Sequence, residues 1–426
     1  MILYNYPPHQ SIGTLRGIGF VKYLPKYGWQ PVVITRDWKD EKYPLEEPKG
    51  VKVFRTEYSD ILQFFRRGGK SIKKEENLID LPITGLEIAK ERIRGKISFL
   101  IKEILVYPDE NIGWENFAIQ QSREIIIKEK PDIIFSSSPP ATSHIIASKL
   151  KEEFNIPWVA DFRDLWTQNP TQHNPHTFLR KIVETRLERK TLRKADALIT
   201  ISKPASENLF LLHNKRAEVI TNGFDIDDFK DISIPLTKNF TITFTGQTYC
   251  TRRDPTMLFS AIRELVDEKV IDIGKFQVRF YGPEDNYLKY LIKSFHLERV
   301  VHYKGKISFK ESIEKQKEST VLLLLNWKPP FGKGTYTGKV FEYLGAQRPI
   351  LSIPDNNGVI EELLRETNAG VVCGTKEEVK DILKKWYIYW EKYGFIPYEG
   401  KKEVVFHYTR EKQTEKLSNI LNTLVM

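Results

Sequence analysis

Residues Val321 to Leu344 read VLLLLNWKPPFGKGTYTGKVFEYL. The five consecutive apolar residues Val321 to Leu325 have the signature of a strand buried on both faces of a parallel sheet. The glycines and threonines of Gly332-Lys333-Gly334-Thr335-Tyr336-Thr337-Gly338 then open a helix. A helix start carries unpaired N–H groups and a positive dipole end, which suit a phosphate. Lys339 adds a point charge, and Glu342, three residues on, lies on nearly the same helix face and can accept two hydroxyl hydrogen bonds. The glycine and lysine spacing is not that of a Walker A loop. A phosphate beside a diol points to a nucleoside diphosphate with its ribose. An ordinary capped helix behind a flexible loop is the alternative for the same residues.

Outward from this stretch, short apolar runs rich in β-branched residues alternate with longer helical patterns, as in βαβ units. The expected strands of the first half are 2–4, 31–35, 51–55, 133–136, 158–161, 197–202 and 217–220. Those of the second half are 241–245, 277–281, 300–304, 321–325, 350–353 and 369–372. Two series predict an α/β protein with two Rossmann-like doubly wound domains, joined through the charged, turn-rich stretch 223–239. The expected boundaries are 1–222, then 223–400 including the connection, then a helical tail 401–426.

Ligands of open parallel sheets bind beyond the carboxyl ends of the strands, and three first-half segments there are unusual. Pro7 to Arg16 offers Gly13 for close backbone approach and Arg16 at a helix start, although a plain loop reads as well. Ser136 to His144 offers the hydroxyls of Ser137 and Ser138, or simple helix caps. Asp161-Phe162-Arg163-Asp164 sets two carboxylates around an arginine, as a functional group or as a structural ion-pair network.

The chain has 426 residues, 40% hydrophobic and 29% charged, with 23 prolines and 24 glycines, which excludes collagen-like, low-complexity and wholly disordered classes. No run approaches the roughly 20 apolar residues of a spanning helix. The start of the chain lacks a secretory pattern, so export is not expected and a cytoplasmic place is. The two cysteines, Cys250 and Cys373, build neither a disulfide framework nor a zinc site, and both are expected to be buried. The formal charge of +10 favours an anionic partner. Two basic stretches stand out, Phe64 to Lys102 and Arg180 to Lys194, read as solvated helix faces or as a face for an anionic membrane surface, with nucleic acid disfavoured for want of a motif.

The order of Pro7-Pro8 with Gly13 and Arg16, the segment 157–166, Ala195 to Ser202, Asn222 to Asp225, and Gly338 to Leu344 resembles the family 4 type of retaining glycosyltransferases with the GT-B fold, over residues 2 to 375. The resemblance implies two Rossmann-like domains facing across a cleft, with an acceptor in the first, a nucleotide-sugar in the second, and a C-terminal helix crossing back to the first. Glu342 is implied as the ribose ligand. Gly338, Thr337 and Lys339 are implied around the diphosphate with Arg252 or Arg253 after the strand ending at Gly246, and Ile307 in the loop at the nucleobase. Gly13, Arg16, Ser137 and Ser138 fall on the acceptor side, and Arg163, Asp161 and Lys339 are the expected catalytic groups. Two departures accompany it. The family's first motif glutamate is Gly334 here, and Arg163 lies near where many relatives carry a histidine.

The expected function is transfer of a sugar from a nucleoside diphosphate, most simply a UDP-sugar, to an acceptor hydroxyl in polysaccharide, glycolipid or glycan assembly, with retention. No metal ion and no cofactor besides the substrate are expected, and the partners are the donor, a glycan or lipid-linked acceptor and an anionic membrane surface. The alternatives are a sugar-nucleotide epimerase on the same fold and a non-catalytic binding subunit.

Overall fold

The computed structural model describes residues 1–39, 41–60, 103, 106–169, 177–230, 234–328, 332–355 and 357–425. Its first sheet has seven parallel strands: β1 (Ile2–Leu3), β2 (Val32–Arg36), β3 (Lys52–Thr56), β4 (Ile134–Ser138), β5 (Trp158–Phe162), β6 (Ala197–Thr200) and β7 (Ala217–Val219), in the order β3-β2-β1-β4-β5-β6-β7. The second has six: β8 (Phe240–Thr245), β9 (Phe276–Tyr281), β10 (Val301–Gly305), β11 (Val321–Leu325), β12 (Ile350–Ile353) and β13 (Gly370–Val372), in the order β10-β9-β8-β11-β12-β13. Each expected strand is present. In each sheet the order reverses between the first strand and the fourth, β1 with β4 and β8 with β11. That reversal opens a crevice at the carboxyl ends, where doubly wound folds take ligands.

The helices of the first domain are α1 (Ile12–Tyr23), α2 (Glu115–Glu129), α3 (Thr142–Phe154), α4 (Phe178–Leu192) and α5 (Lys203–His213). Those that follow are α6 (Thr256–Asp267), α7 (Asn286–Ser294), α8 (Phe309–Lys317), α9 (Gly338–Ala346), α10 (Val359–Thr367), α11 (Lys376–Tyr393), α12 (Lys402–Phe406) and α13 (Arg410–Val425). Side-chain caps fix several starts. Ser11 accepts from the Thr14 amide at α1, and Ser308 with Glu311 closes a capping box at α8. β11 is buried at all five positions, as its unbroken apolar run requires.

The last helix leaves the second domain and completes the first. Leu417 and Leu421 of α13 are buried with Leu3, Phe20, Val33 and Phe135. Trp29 Nε1 donates to Asn422 Oδ1 at 2.9 Å and Thr414 Oγ1 to the Gly19 carbonyl at 3.3 Å. Strand-like contact of Phe224 with Thr409 ties the connection to the same crossing. In the connection Asp225 accepts from the Asp227 amide at 3.0 Å and caps a short turn.

The basic stretch of α4 is less uniform than its composition suggests. Arg180 is not solvated: it is buried, 3.5 Å from Glu184, and donates to the carbonyls of Val106 at 2.6 Å and Pro108 at 3.0 Å. Lys194 is engaged by Glu152. Lys181, Arg186, Arg189, Lys190 and Arg193 are exposed beside Phe178 and Leu179, which are 77% and 75% exposed. The other basic stretch, Phe64 to Lys102, lies outside the described residues, as does the Cys250 side chain. Cys373 is buried, and burial pushes its thiol up to about 12. None of the described helices is long and apolar enough to cross a membrane.

Candidate active site in the interdomain cleft

The two crevices face each other, and a cavity of about 250 Å³ lies between them. From the first domain Gln10, Ser11 and Ile12 line it, at the start of α1. From the second come Gly246 after β8, Lys306 and Ile307 after β10, and Lys339 and Glu342 of α9. The starts of α1 and α9 are in contact, since a side-chain carbon added to Gly338 would lie 2.8 Å from Ile12 Cγ2. Two positive helix ends therefore converge on one space. The Thr337 hydroxyl at the head of α9 is buried without a hydrogen-bond partner, and caps nothing.

Lys339 lies across Gly246, whose φ of +118° and whose missing side chain both make room: a Cβ there would sit 2.0 Å from Lys339 Cε. Its ammonium is 5.1 Å from the Phe244 ring and pairs with no described carboxylate. Burial and the charge of Arg253 hold it well below the ordinary lysine range, with Glu342 pulling the other way. Glu342 accepts from Gln316 Nε2 at 3.2 Å, and burial raises its carboxyl. Arg253 is buried, with Nε unpartnered and Nη1 3.4 Å from the Gln247 carbonyl. Its guanidinium carbon stands 5.1 and 5.2 Å from the rings of Tyr249 and Trp327, which stack at 5.3 Å. Arg252 is exposed at the edge of this group, 5.8 Å from the Trp327 ring. Three cationic sources thus meet one carboxylate in a partly dehydrated space, an arrangement that favours an incoming polyanion.

On the first-domain wall, Asp161 is fully buried and its oxygens are taken. Arg16 Nη2 donates to Oδ1 at 2.7 Å, Arg16 Nε to Oδ2 at 3.0 Å, and Ser137 Oγ to Oδ2 at 2.7 Å. Arg16 Nη1 also reaches the Thr221 carbonyl at 2.9 Å. Asp161, expected as a catalytic group, and Arg16 and Ser137, expected on the acceptor side, form a staple joining α1, β4, β5 and the end of the first sheet. Both Asp161 oxygens are engaged by Arg16 and Ser137, which holds the carboxylate in place. Arg163 is different. Nε donates to the Ser138 carbonyl at 3.2 Å and Nη2 to the Pro139 carbonyl, while Nη1 fills the space over Gly13. That brings Arg163, Gly13 and Ser138 together at the first-domain edge of the cleft.

Gly334, where the resemblance would place a glutamate, is an interdomain contact. Its carbonyl accepts from Ser202 Oγ at 2.6 Å, and a Cβ would lie 2.9 Å from Pro204 Cβ. The loop that would carry a side chain to the sugar instead docks its backbone on the start of α5.

Residues 89–228 match the family model described as Glycosyltransferase Family 4. The whole chain superposes on solved structures of that architecture. Sucrose-phosphate synthase from Thermosynechococcus elongatus covers 95% of this chain and 91% of its own at a TM-score of 0.59 and 14% identity. A glycosyltransferase from Rickettsia africae covers 100% and 98% at 0.61 and 15%, and Anabaena HepE, in complex with UDP and glucose, 99% and 98% at 0.60 and 13%. The chain has the GT-B fold of these structures, and its stretch 89–228 is similar to Glycosyltransferase Family 4. No curated protein sequence matches it.

Within the GT-B cleft several groups had no signal in the sequence. Gln316 comes from α8 and is an unremarked polar residue in a charged helix. Arg410 begins α13, donates to the Gly223 carbonyl at 3.2 Å, stands 3.4 Å from Asp228 and lowers the Glu342 carboxyl through space. Tyr249 carries a left-handed φ of 55°, rare for an aromatic residue and invisible without coordinates.

Proposed function

We propose that the protein transfers a sugar from a nucleoside diphosphate, most simply a UDP-sugar, to an acceptor hydroxyl of a glycan or glycolipid under assembly, with retention of anomeric configuration. The observation that carries this is Lys339 and the α9 start beside Glu342 in the cavity between the domains, with the Arg253 charge acting on Lys339 from behind. The diphosphate meets the helix end and Lys339. The ribose diol meets the Glu342 carboxylate, and the base reaches the loop at Lys306 and Ile307. As the glycosidic bond breaks, negative charge grows on the departing diphosphate, and these fixed groups stabilise it without reorganisation. Because these groups supply the positive charge, a divalent metal is not required. The similarity to HepE, whose structure holds UDP and glucose, supports the choice of nucleotide.

Arg163 lies across the cleft beside Gly13 and is positioned to hold the acceptor or the sugar's leaving face. We place the work at the inner face of a membrane, reached from the cytoplasm, because Phe178 and Leu179 are exposed among Lys181, Arg186 and Lys190 on α4. Incubation with a panel of nucleotide sugars tests the reaction. Slow hydrolysis or transfer releases UDP, epimerisation yields an isomeric sugar nucleotide, and a binding module leaves the panel intact. Either of the last two results overturns the proposal.

A further inference from the structure

Arg36 ends β2, and four aromatic side chains from neighbouring strand ends gather around it: Tyr4 after β1, Trp38 after β2, Tyr58 after β3, and His9 from the loop into α1. They form a column. His9 stacks on Trp38 at 4.0 Å and 11°, the Arg36 guanidinium carbon is 4.5 Å from the Trp38 ring, and Tyr58 follows at 4.1 Å on the guanidinium. The planar cation is held by its faces. One of its edges is held as well, Nη1 donating to Tyr4 Oη at 2.7 Å. The opposite edge is not. Nε is buried without a hydrogen-bond partner, and Nη2 donates to no described residue.

Most other arginines near this sheet are engaged by a carboxylate or by backbone carbonyls, the latter being the case for half-buried Arg163. Arg16 has Asp161, Arg180 has Glu184 and Arg55 has Glu47. Arg36 makes no ion pair with a described residue, and its one hydrogen-bonding side chain cannot supply charge: burial pushes the Tyr4 phenol up to about 12, so it stays neutral. A cation desolvated on both faces and left unpaired is costly. The free Nε–Nη2 edge is the one that takes a carboxylate or phosphate through two parallel hydrogen bonds.

The position matters too. His9, the outer layer of the column, is followed at once by Gln10, which lines the donor cavity. In the segment after β2, Leu45 N donates to the Pro8 carbonyl at 3.0 Å within the first domain, and Tyr43 Oη reaches the second at the Lys306 carbonyl, 3.2 Å away. We infer that the free edge of Arg36 is a recognition point for an oxyanion on the acceptor, so that the acceptor is an acidic sugar, bearing a carboxylate or a phosphate, rather than a neutral one. This rests on the first domain being the acceptor side.

Calorimetric titration of the full chain with glucuronic acid, glucose 6-phosphate and glucose tests it, with a UDP titration alongside. At least one of the anionic sugars binds about tenfold or more tighter than glucose, and the stronger of the two identifies carboxylate or phosphate as the source. Arg36→Gln reduces that sugar to the level of glucose and leaves UDP affinity in place. Arg36→Lys, which keeps a charge without the planar fork, gives an intermediate loss and serves if the glutamine variant does not fold. Equal binding of all three sugars, or a folded Arg36→Gln or Arg36→Lys protein with the full preference, overturns the inference. A chain that binds UDP without preferring acidic sugars loses this inference alone, and one that prefers them without binding UDP loses the donor site alone.

Discussion

At the scale of single residues, the cleft is a problem of unbalanced charge. Lys339 is pushed down by burial and by Arg253, and an arriving anion pulls it back up. Binding of UDP therefore takes up a proton in alkaline buffer, and affinity falls as rising pH deprotonates the lysine. Titrations in two buffers of different ionisation enthalpy should show that uptake, which Lys339→Met removes. The Arg16–Asp161 pair works the other way. It is fully satisfied, so its value lies in holding α1 against the strand ends. Asp161→Asn leaves Arg16 buried and half-paired and should cost about 3–5 kcal/mol of stability in urea unfolding, with UDP affinity unchanged in the protein that remains folded.

At the scale of elements, α3 carries a titration switch that bears on stability. His144 is fully buried, its Nδ1 2.8 Å from Ser136 Oγ and its Nε2 unpartnered. Burial lowers it from 6.5 to about 3. The unfolded chain takes up the proton below about pH 6.5 and the folded one does not, so stability is full above that pH and falls as pH drops toward 3. The slope from this group alone is about 1.4 kcal/mol per pH unit. Urea unfolding at pH 7, 6 and 5 should show a steeper loss for the wild type than for His144→Gln, and equal slopes contradict the assignment. Elements were also where the sequence was most legible. Runs such as Val321–Leu325 have no polar residue to satisfy, so burial on both faces is their only stable fate, and each expected strand stands in the structure. Glu342 and Lys339 were legible because a three-residue spacing in a helix fixes their common face. The pairing of Asp161 with Arg16 was not legible, since the two lie 145 positions apart and sequence alone does not bring them together. The Arg36 column was missed for the same reason: its members follow three different strands.

At the scale of the molecule, the connection at Gly223, the Ser202–Gly334 contact and the return of α13 all tie the two domains together. The last is part of the first domain's core, so removing it exposes Leu3, Phe20 and Val33. Truncation before Arg410 should give a protein that unfolds at lower denaturant or fails to accumulate, judged by its thermal transition. The net charge and the exposed α4 face argue for weak membrane contact. At about 1 kcal/mol per basic residue near an anionic surface, screened over about 8 Å at physiological salt, the protein should sediment with anionic vesicles at low salt and release at high salt. Equal recovery with neutral vesicles contradicts that contact. All of this presupposes a donor site between the domains, and one measurement reaches it directly: calorimetric titration of UDP into wild type and Glu342→Ala in the presence of a chelator. An ionised carboxylate accepting the ribose hydroxyls contributes roughly 1.5–3 kcal/mol. The account predicts metal-independent binding by the wild type and a loss of about 10- to 100-fold in a folded Glu342→Ala protein; binding that requires a divalent metal, or equal affinity in the two proteins, contradicts it.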